Sequence, residues 1–172
     1  DYTGLKPSWR RWVWEQVIAT ELSRYRKVIH LDIHTGLGAS GDLQIMGAST
    51  RNPEVDLARA LWGDRLAFMH DEEGKNTTLS SPTIGEILTF WRLVKGAVPL
   101  EPVTYLMEFG TLPPIEVFNA LRSDHMAHAR GECDPVALAA VHTRMRAAFA
   151  PTEPEWIDKV LHLGAETYTG LL

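Results

Sequence analysis

Two predicted strands end on side chains that can take part in metal-assisted chemistry. The first strand runs from 27 to 34 and ends at His34, and a glycine-rich stretch follows it directly. The second begins at Val103 and ends at Glu108, just before Phe109 and Gly110. Ligands and catalytic groups gather where strands end in an open α/β sheet. Because imidazole is a zinc ligand and a carboxylate beside zinc can act as a general base, the two side chains predict half of a zinc hydrolase site.

Each of these side chains also has a purely structural interpretation. His34 would then be a buried histidine hydrogen-bonded to the backbone, and Glu108 a salt-bridged glutamate at a sheet edge. Asp32 lies on the same strand face as His34 because side chains alternate along a strand. It either orients His34 or caps the amides of the following loop. Glu108 follows largely apolar residues, and burial there would raise its pKa and suit a general acid or base.

The other histidines form weaker patterns. His125 and His128 share one face of a predicted helix at the i, i+3 spacing that a metal could use. The alternative is a polar helix face near the helix end. His142 and His162 are single helix residues with no cluster in the sequence around them, and His70 belongs to a very polar loop.

Apolar periodicity and turn residues predict the elements that position these side chains. The predicted strands are 27–34, 42–46, 66–69 and 103–108, and the predicted helices are 7–26, 53–65, 82–94, 113–129, 134–149 with Asp134 as N-cap, and 152–168 with a capping box from Thr152 to Glu155. Strands that alternate with helices predict a layered α/β domain.

Composition narrows the function classes. The chain has 172 residues, enough for one well-buried core, with 45% hydrophobic and 23% charged residues. Its formal net charge of −5 argues against a nucleic-acid partner. No apolar run approaches the roughly 20 residues of a membrane span, and the single cysteine, Cys133, fits a cytoplasmic location. The chain begins with Asp1 rather than Met, so we expect a fragment of something longer.

Two segments together resemble the zinc carboxypeptidase superfamily. They are LDIHTGLG at 31–38 and YLMEFGTLPP at 105–114. The resemblance is nearest to a bacterial branch close to deacylases such as succinylglutamate desuccinylase and aspartoacylase, and three further segments share it: 2–9, 121–131 and 148–156. It implies an α/β/α fold with a central mixed sheet, a zinc cofactor, and hydrolysis of a peptide or N-acyl amide bond. The implied substrate is a small peptide or an acylated amino acid.

The resemblance also implies roles for three residues. His34 corresponds to a zinc ligand, and Glu108 to the glutamate that activates the zinc-bound water. Thr35 follows the ligand histidine, at a position where backbone groups meet the substrate.

The superfamily pattern is incomplete in this chain: it has no His-x-x-Glu zinc motif before His34, and the upstream substrate-carboxylate arginine and Asn-Arg motif are likewise absent. The segment 70–73 has the His-x-x-Glu spacing, but it follows His34 in a polar loop, so we interpret it as coincidence. The resemblance therefore implies that residues 1–172 are the C-terminal portion of a single catalytic domain. Such a chain would not hold zinc alone, and it would pair with the missing N-terminal segment or with itself. The alternative is a truncated, non-catalytic relative that acts as a binding or oligomerising module.

Overall fold

The computed structural model of the chain describes residues 9–25, 28–47, 55–68, 103–132 and 134–171. The helix predicted over 82–94 lies outside these ranges, as do His70 and Cys133. Strands and helices alternate along much of the described chain. They are α1 (Trp9–Thr20), β1 (Ile29–Gly36), β2 (Leu43–Gly47), α2 (Val55–Trp62), β3 (Leu66–Phe68), β4 (Val103–Gly110), α3 (Pro114–Ala129), α4 (Pro135–Phe149) and α5 (Pro154–Thr169).

The four described strands form one mixed sheet in the order β1-β4-β2-β3. β1 runs parallel to β4, β2 runs parallel to β3, and β4 and β2 are antiparallel. The predicted α/β fold with a mixed sheet is confirmed. The sheet order makes neighbours of β1 and β4, which are far apart in the sequence, and the register sets His34 opposite Glu108.

The main core lies on one face of the sheet. Every second residue of β2 and β4 points to that face, as the strand period requires. Its buried members are Leu43, Ile45, Ala58, Trp62, Tyr105, Met107 and Phe109. Partly buried side chains of α5, including Trp156 and Val160, pack against this cluster. Trp62 of α2 meets Tyr105 edge to face, with ring centroids 4.7 Å apart.

The opposite face of the sheet carries His34 and Glu108. A small cluster of Met46 and Leu106 with Ala67 lies on this face. α1 reaches the same face, because Trp14 packs edge-on against the ring of His30 with centroids 5.4 Å apart. Helices therefore flank the sheet on both faces. None of the helices in the described ranges is long and apolar enough to cross a bilayer.

The predicted ends of two strands and of the first helix differ from the observed ends. β1 and β4 continue two residues beyond His34 and Glu108, to Gly36 and Gly110. They continue because β1 and β4 stay paired with each other as far as Gly36 and Gly110. The described part of the first helix, α1, ends at Thr20, and a 3₁₀ turn follows.

The predicted helix caps differ in outcome. The carboxylate of Asp134 accepts a hydrogen bond from the amide of Val136 at 3.0 Å, so the predicted N-cap is confirmed. The predicted capping box at Thr152 is wrong. α5 begins at Pro154 with Glu153 at the N-cap position, and no side chain caps it. Proline at the first position supplies the helical φ and needs no partner for an amide hydrogen, which explains the shift.

Candidate functional site at the ends of two parallel strands

The parallel pairing of β1 and β4 brings together the two side chains that the sequence singled out. Nδ1 of His34 lies 4.0 Å from Oε2 of Glu108. Glu108 is only 5% exposed, whereas 47% of the His34 side chain is exposed. The buried-histidine interpretation of His34 is therefore wrong. β4 lies between β1 and β2, so the interpretation of Glu108 as a glutamate at a sheet edge is wrong as well.

Asp32 orients the imidazole of His34. Its Oδ2 atom lies 3.0 Å from Nε2 of His34. An ionised carboxylate only accepts hydrogen bonds, so Nε2 carries the hydrogen and donates it. In the neutral ring, Nδ1 then holds the lone pair, and this is the nitrogen that faces Glu108. Of the two interpretations of Asp32, the orienting role is the one observed.

Glu108 is a buried carboxyl that accepts a backbone hydrogen bond on one side. The amide of Leu37 donates a hydrogen bond to its Oε1 atom at 2.9 Å. Burial raises the pKa of Glu108, and Asp32 acts in the same direction, while the Leu37 amide and His34 lower it in part. The net effect is a raised pKa. Glu108 therefore holds a proton more readily than an ordinary glutamate, as its apolar neighbours in the sequence indicate.

The glycine-rich loop after β1 folds back over the end of β4. The amide of Gly41 donates to the carbonyl of Gly110 at 2.9 Å, and the amide of Gly110 donates to the carbonyl of Asp42 at 2.9 Å. A Cβ atom on Gly110 would collide with the carbonyl of Ala39, so only glycine fits there. This close approach holds the loop in place and brings the Leu37 amide to Glu108.

The C-terminal end of α4 accepts hydrogen bonds from threonine hydroxyl groups at or just after the ends of β1 and β4. Thr111 donates to the carbonyl of Ala148 at 2.6 Å and lies 3.2 Å from that of Gly36. Thr35 donates to the carbonyl of Phe149 at 2.6 Å. The Thr35 side chain thus has a structural contact on the sheet face opposite His34, and the predicted substrate contact of its backbone stays a prediction. Sequence reasoning missed Thr111, whose partners come from distant segments.

A second cluster of metal-ligating side chains lies on the helical pair α3 and α4. Asp124, His128 and His142 each offer one ligand atom, and these atoms lie within 4.8 Å of one another. His125 does not belong to the cluster, so the predicted pairing of His125 with His128 is wrong. The prediction that His142 stands alone is also wrong. Across the described ranges, the strand-end site does not bring three such donors this close together.

The fold and the strand-end site define an α/β protein with an oriented histidine facing a buried carboxyl. The chain belongs to the family described as protein of unknown function (DUF2817), whose model matches residues 1–163. Comparison with curated proteins finds no match, and comparison with solved structures finds none. The matched range contains the strand-end site and the Asp124–His128–His142 cluster.

Proposed function

We propose that this chain supplies a zinc ligand and the general base of a hydrolase similar to the zinc carboxypeptidases and their deacylase relatives. The bond cleaved would be a peptide or N-acyl amide bond. The observation that carries the proposal is the arrangement of His34. Asp32 holds its Nε2, and its Nδ1 faces the buried carboxyl of Glu108 at 4.0 Å.

The residues of the strand-end site fit part of a zinc centre. A ligating histidine commonly donates its other ring N–H to a carboxylate, as His34 does to Asp32. Catalytic zinc takes about three protein ligands, and the described residues of this site offer one nitrogen donor. We infer that the remaining ligands come from a His-x-x-Glu segment outside the described residues and other than the polar-loop segment 70–73. Zinc would polarise the scissile carbonyl and acidify its bound water.

Glu108 would carry the proton in this reaction. The Leu37 amide fixes Oε1, and Oε2 lies on the side of His34. Glu108 would take a proton from the attacking water and then donate it to the departing amine. A raised pKa suits this second step, because a carboxyl that holds its proton between steps can return it.

The test is to replace Glu108 by Gln in a protein that contains all the zinc ligands. Gln keeps the acceptor for the Leu37 amide but cannot carry the proton. We expect kcat on N-acyl amino acids or short peptides to fall by about two orders of magnitude or more, with unchanged zinc content. Replacing His34 by Ala should lower the zinc content itself. The matched control is Glu116→Gln, an exposed glutamate in the first turn of α3. Retained activity in Glu108→Gln would rule out the proposed role.

The exposed aromatic side chains of α1 favour a second candidate function, a binding or oligomerising module. Trp9 is 77% exposed and Trp12 is 55% exposed, and large aromatic side chains are enriched in protein interfaces. A companion segment with His-x-x-Glu would favour the hydrolase. Its absence from the full-length protein, together with association that is lost when both tryptophans become serine, would favour the module.

A further inference from the structure

We propose that Asp124, His128 and His142 form a separate binding site for a divalent transition-metal ion, with Zn²⁺ as the ion of choice, that links α3 to α4. The set provides two imidazole nitrogens and one carboxylate oxygen. Zn²⁺ accepts both donor types, whereas Mg²⁺ and Ca²⁺ prefer oxygen ligands. The proposal does not depend on the proposed hydrolase function.

The cluster is built on two helices joined by a short connection. Asp124 and His128 lie one turn apart on α3, so their side chains share a face. His142 reaches them from α4. Nε2 of His128 lies 3.6 Å from Oδ1 of Asp124, and all three ligand atoms lie within 4.8 Å of one another.

Only a small side-chain adjustment separates this arrangement from metal coordination. Donor atoms held at about 2.1 Å from zinc lie roughly 3.0–3.5 Å apart. His128 and His142 are exposed, so their side chains can move closer by about an ångström without any change in the core. The same exposure leaves room for water at the remaining coordination positions of the ion.

An ordinary surface ion pair explains only part of the cluster. Asp124 and His128 have the i, i+4 spacing of such a pair on one helix. That spacing says nothing about His142, which comes from a different helix and brings a second imidazole to the same carboxylate. Two imidazoles and a carboxylate from two helices form a donor set that Zn²⁺ accepts.

A metal at this position would brace the helices that hold the strand-end site. α3 starts four residues after β4 ends, and α4 ends at the carbonyls that accept from Thr35 and Thr111. Linking the two helices would therefore favour the arrangement that keeps His34 beside Glu108.

The test is Zn²⁺ titration of the full chain by calorimetry, with His142→Ala as the diagnostic variant. Losing a direct ligand should weaken binding at least about tenfold, since even losing an outer partner costs 10–100-fold. The matched control is His125→Ala, an exposed histidine of α3 that lies outside the cluster. We expect this control to bind Zn²⁺ like the original chain. Zn²⁺ should also raise the thermal unfolding midpoint of the original chain and the control, but not of His142→Ala.

A His34→Ala background separates this site from the strand-end site. Zn²⁺ binding that persists in His34→Ala and is lost when His142→Ala is added would support the proposal. Binding that His34→Ala removes and His142→Ala leaves intact would overturn it. So would the absence of any binding tighter than about 1 mM in the original chain.

Discussion

At the scale of single residues, Glu108 is the most constrained side chain of the site. It is almost fully buried, and its described polar contacts are the Leu37 amide and the imidazole of His34. Its apolar neighbours in the strand already predict burial and a raised pKa. The orientation of His34 by Asp32 follows from the strand period, because residues two apart share a face. The exposure of His34 did not follow from its own strand, since it depends on which helices cover the sheet.

Replacing Glu108 by Gln should raise the free energy of unfolding at neutral pH. Burial lifts the pKa of the folded-state carboxyl above its ordinary value of 4.5. The unfolded chain therefore loses this proton at a lower pH than the folded chain does, and folding becomes less favourable as the pH rises between the two values. The penalty is complete above the folded-state pKa and absent below about pH 4.

Thermal unfolding midpoints between acidic and neutral pH test this expectation. The midpoint of Glu108→Gln should exceed that of the original chain at neutral pH, and the two should converge as the pH falls through the ordinary glutamate range. A variant that is clearly less stable at neutral pH would show that the charged form of Glu108 stabilises the fold.

At the scale of elements, the end of β4 and the loop after β1 form one unit. The loop is held by reciprocal backbone hydrogen bonds with Gly110, and that close approach leaves no room for a side chain. The glycines in the sequence predict a tight loop. Their pairing with Gly110 could not be predicted, because it joins this loop to a strand that is distant in the sequence.

Replacing Gly110 by Ala should destabilise the fold by at least about 2 kcal/mol, because the new Cβ meets backbone atoms that cannot rotate away. The matched control is Gly164→Ala within α5, where the nearest atom would be a ring carbon of Phe109 at 3.9 Å. Alanine is the better helix former, so this control should be neutral or stabilising. Urea unfolding of both variants measures the difference, and equal stability would contradict the close approach of the loop.

The helix starts allow a second comparison at this scale. Asp134→Ala should cost about 1 kcal/mol, because it removes the acceptor of the Val136 amide. Thr152→Ala should change stability little, because Thr152 precedes the N-cap position of α5. Chemical denaturation of the two variants gives both values. A larger loss of stability for Thr152→Ala than for Asp134→Ala would support the capping box that the sequence predicted.

At the scale of the whole molecule, β1 has one strand neighbour among the described residues. Ile33 of this strand is 55% exposed although it points to the same sheet face as the main core. On a strand at the edge of the described sheet, an exposed apolar side chain favours pairing with another chain. We therefore propose this edge as the place where a further segment or a second copy would pair with the chain.

Replacing Ile33 by Lys should weaken concentration-dependent association of the chain, because a charged edge opposes strand pairing. Stability should change by no more than about 0.5 kcal/mol, as for other exposed positions. Sedimentation velocity over a range of concentrations measures the association. Val136→Lys is the control, since Val136 is 77% exposed but lies on α4. If both variants reduce association equally, added charge and not the strand edge is the cause.

Local patterns in the chain predict the class of the fold and indicate which side chains could do chemistry. Strand and helix periods predict an α/β domain, and the residues around His34 and Glu108 predict an imidazole near the end of one strand and a buried carboxyl near the end of another. Those patterns involve residues that are close in sequence, so they can be recognised without the folded structure. The adjacency of β1 and β4, the anchoring by Thr111, and the meeting of His142 with Asp124 and His128 are contacts between distant segments. They depend on which elements pack together, because the free energy of that packing belongs to the assembled sheet and helices and to no single stretch of residues.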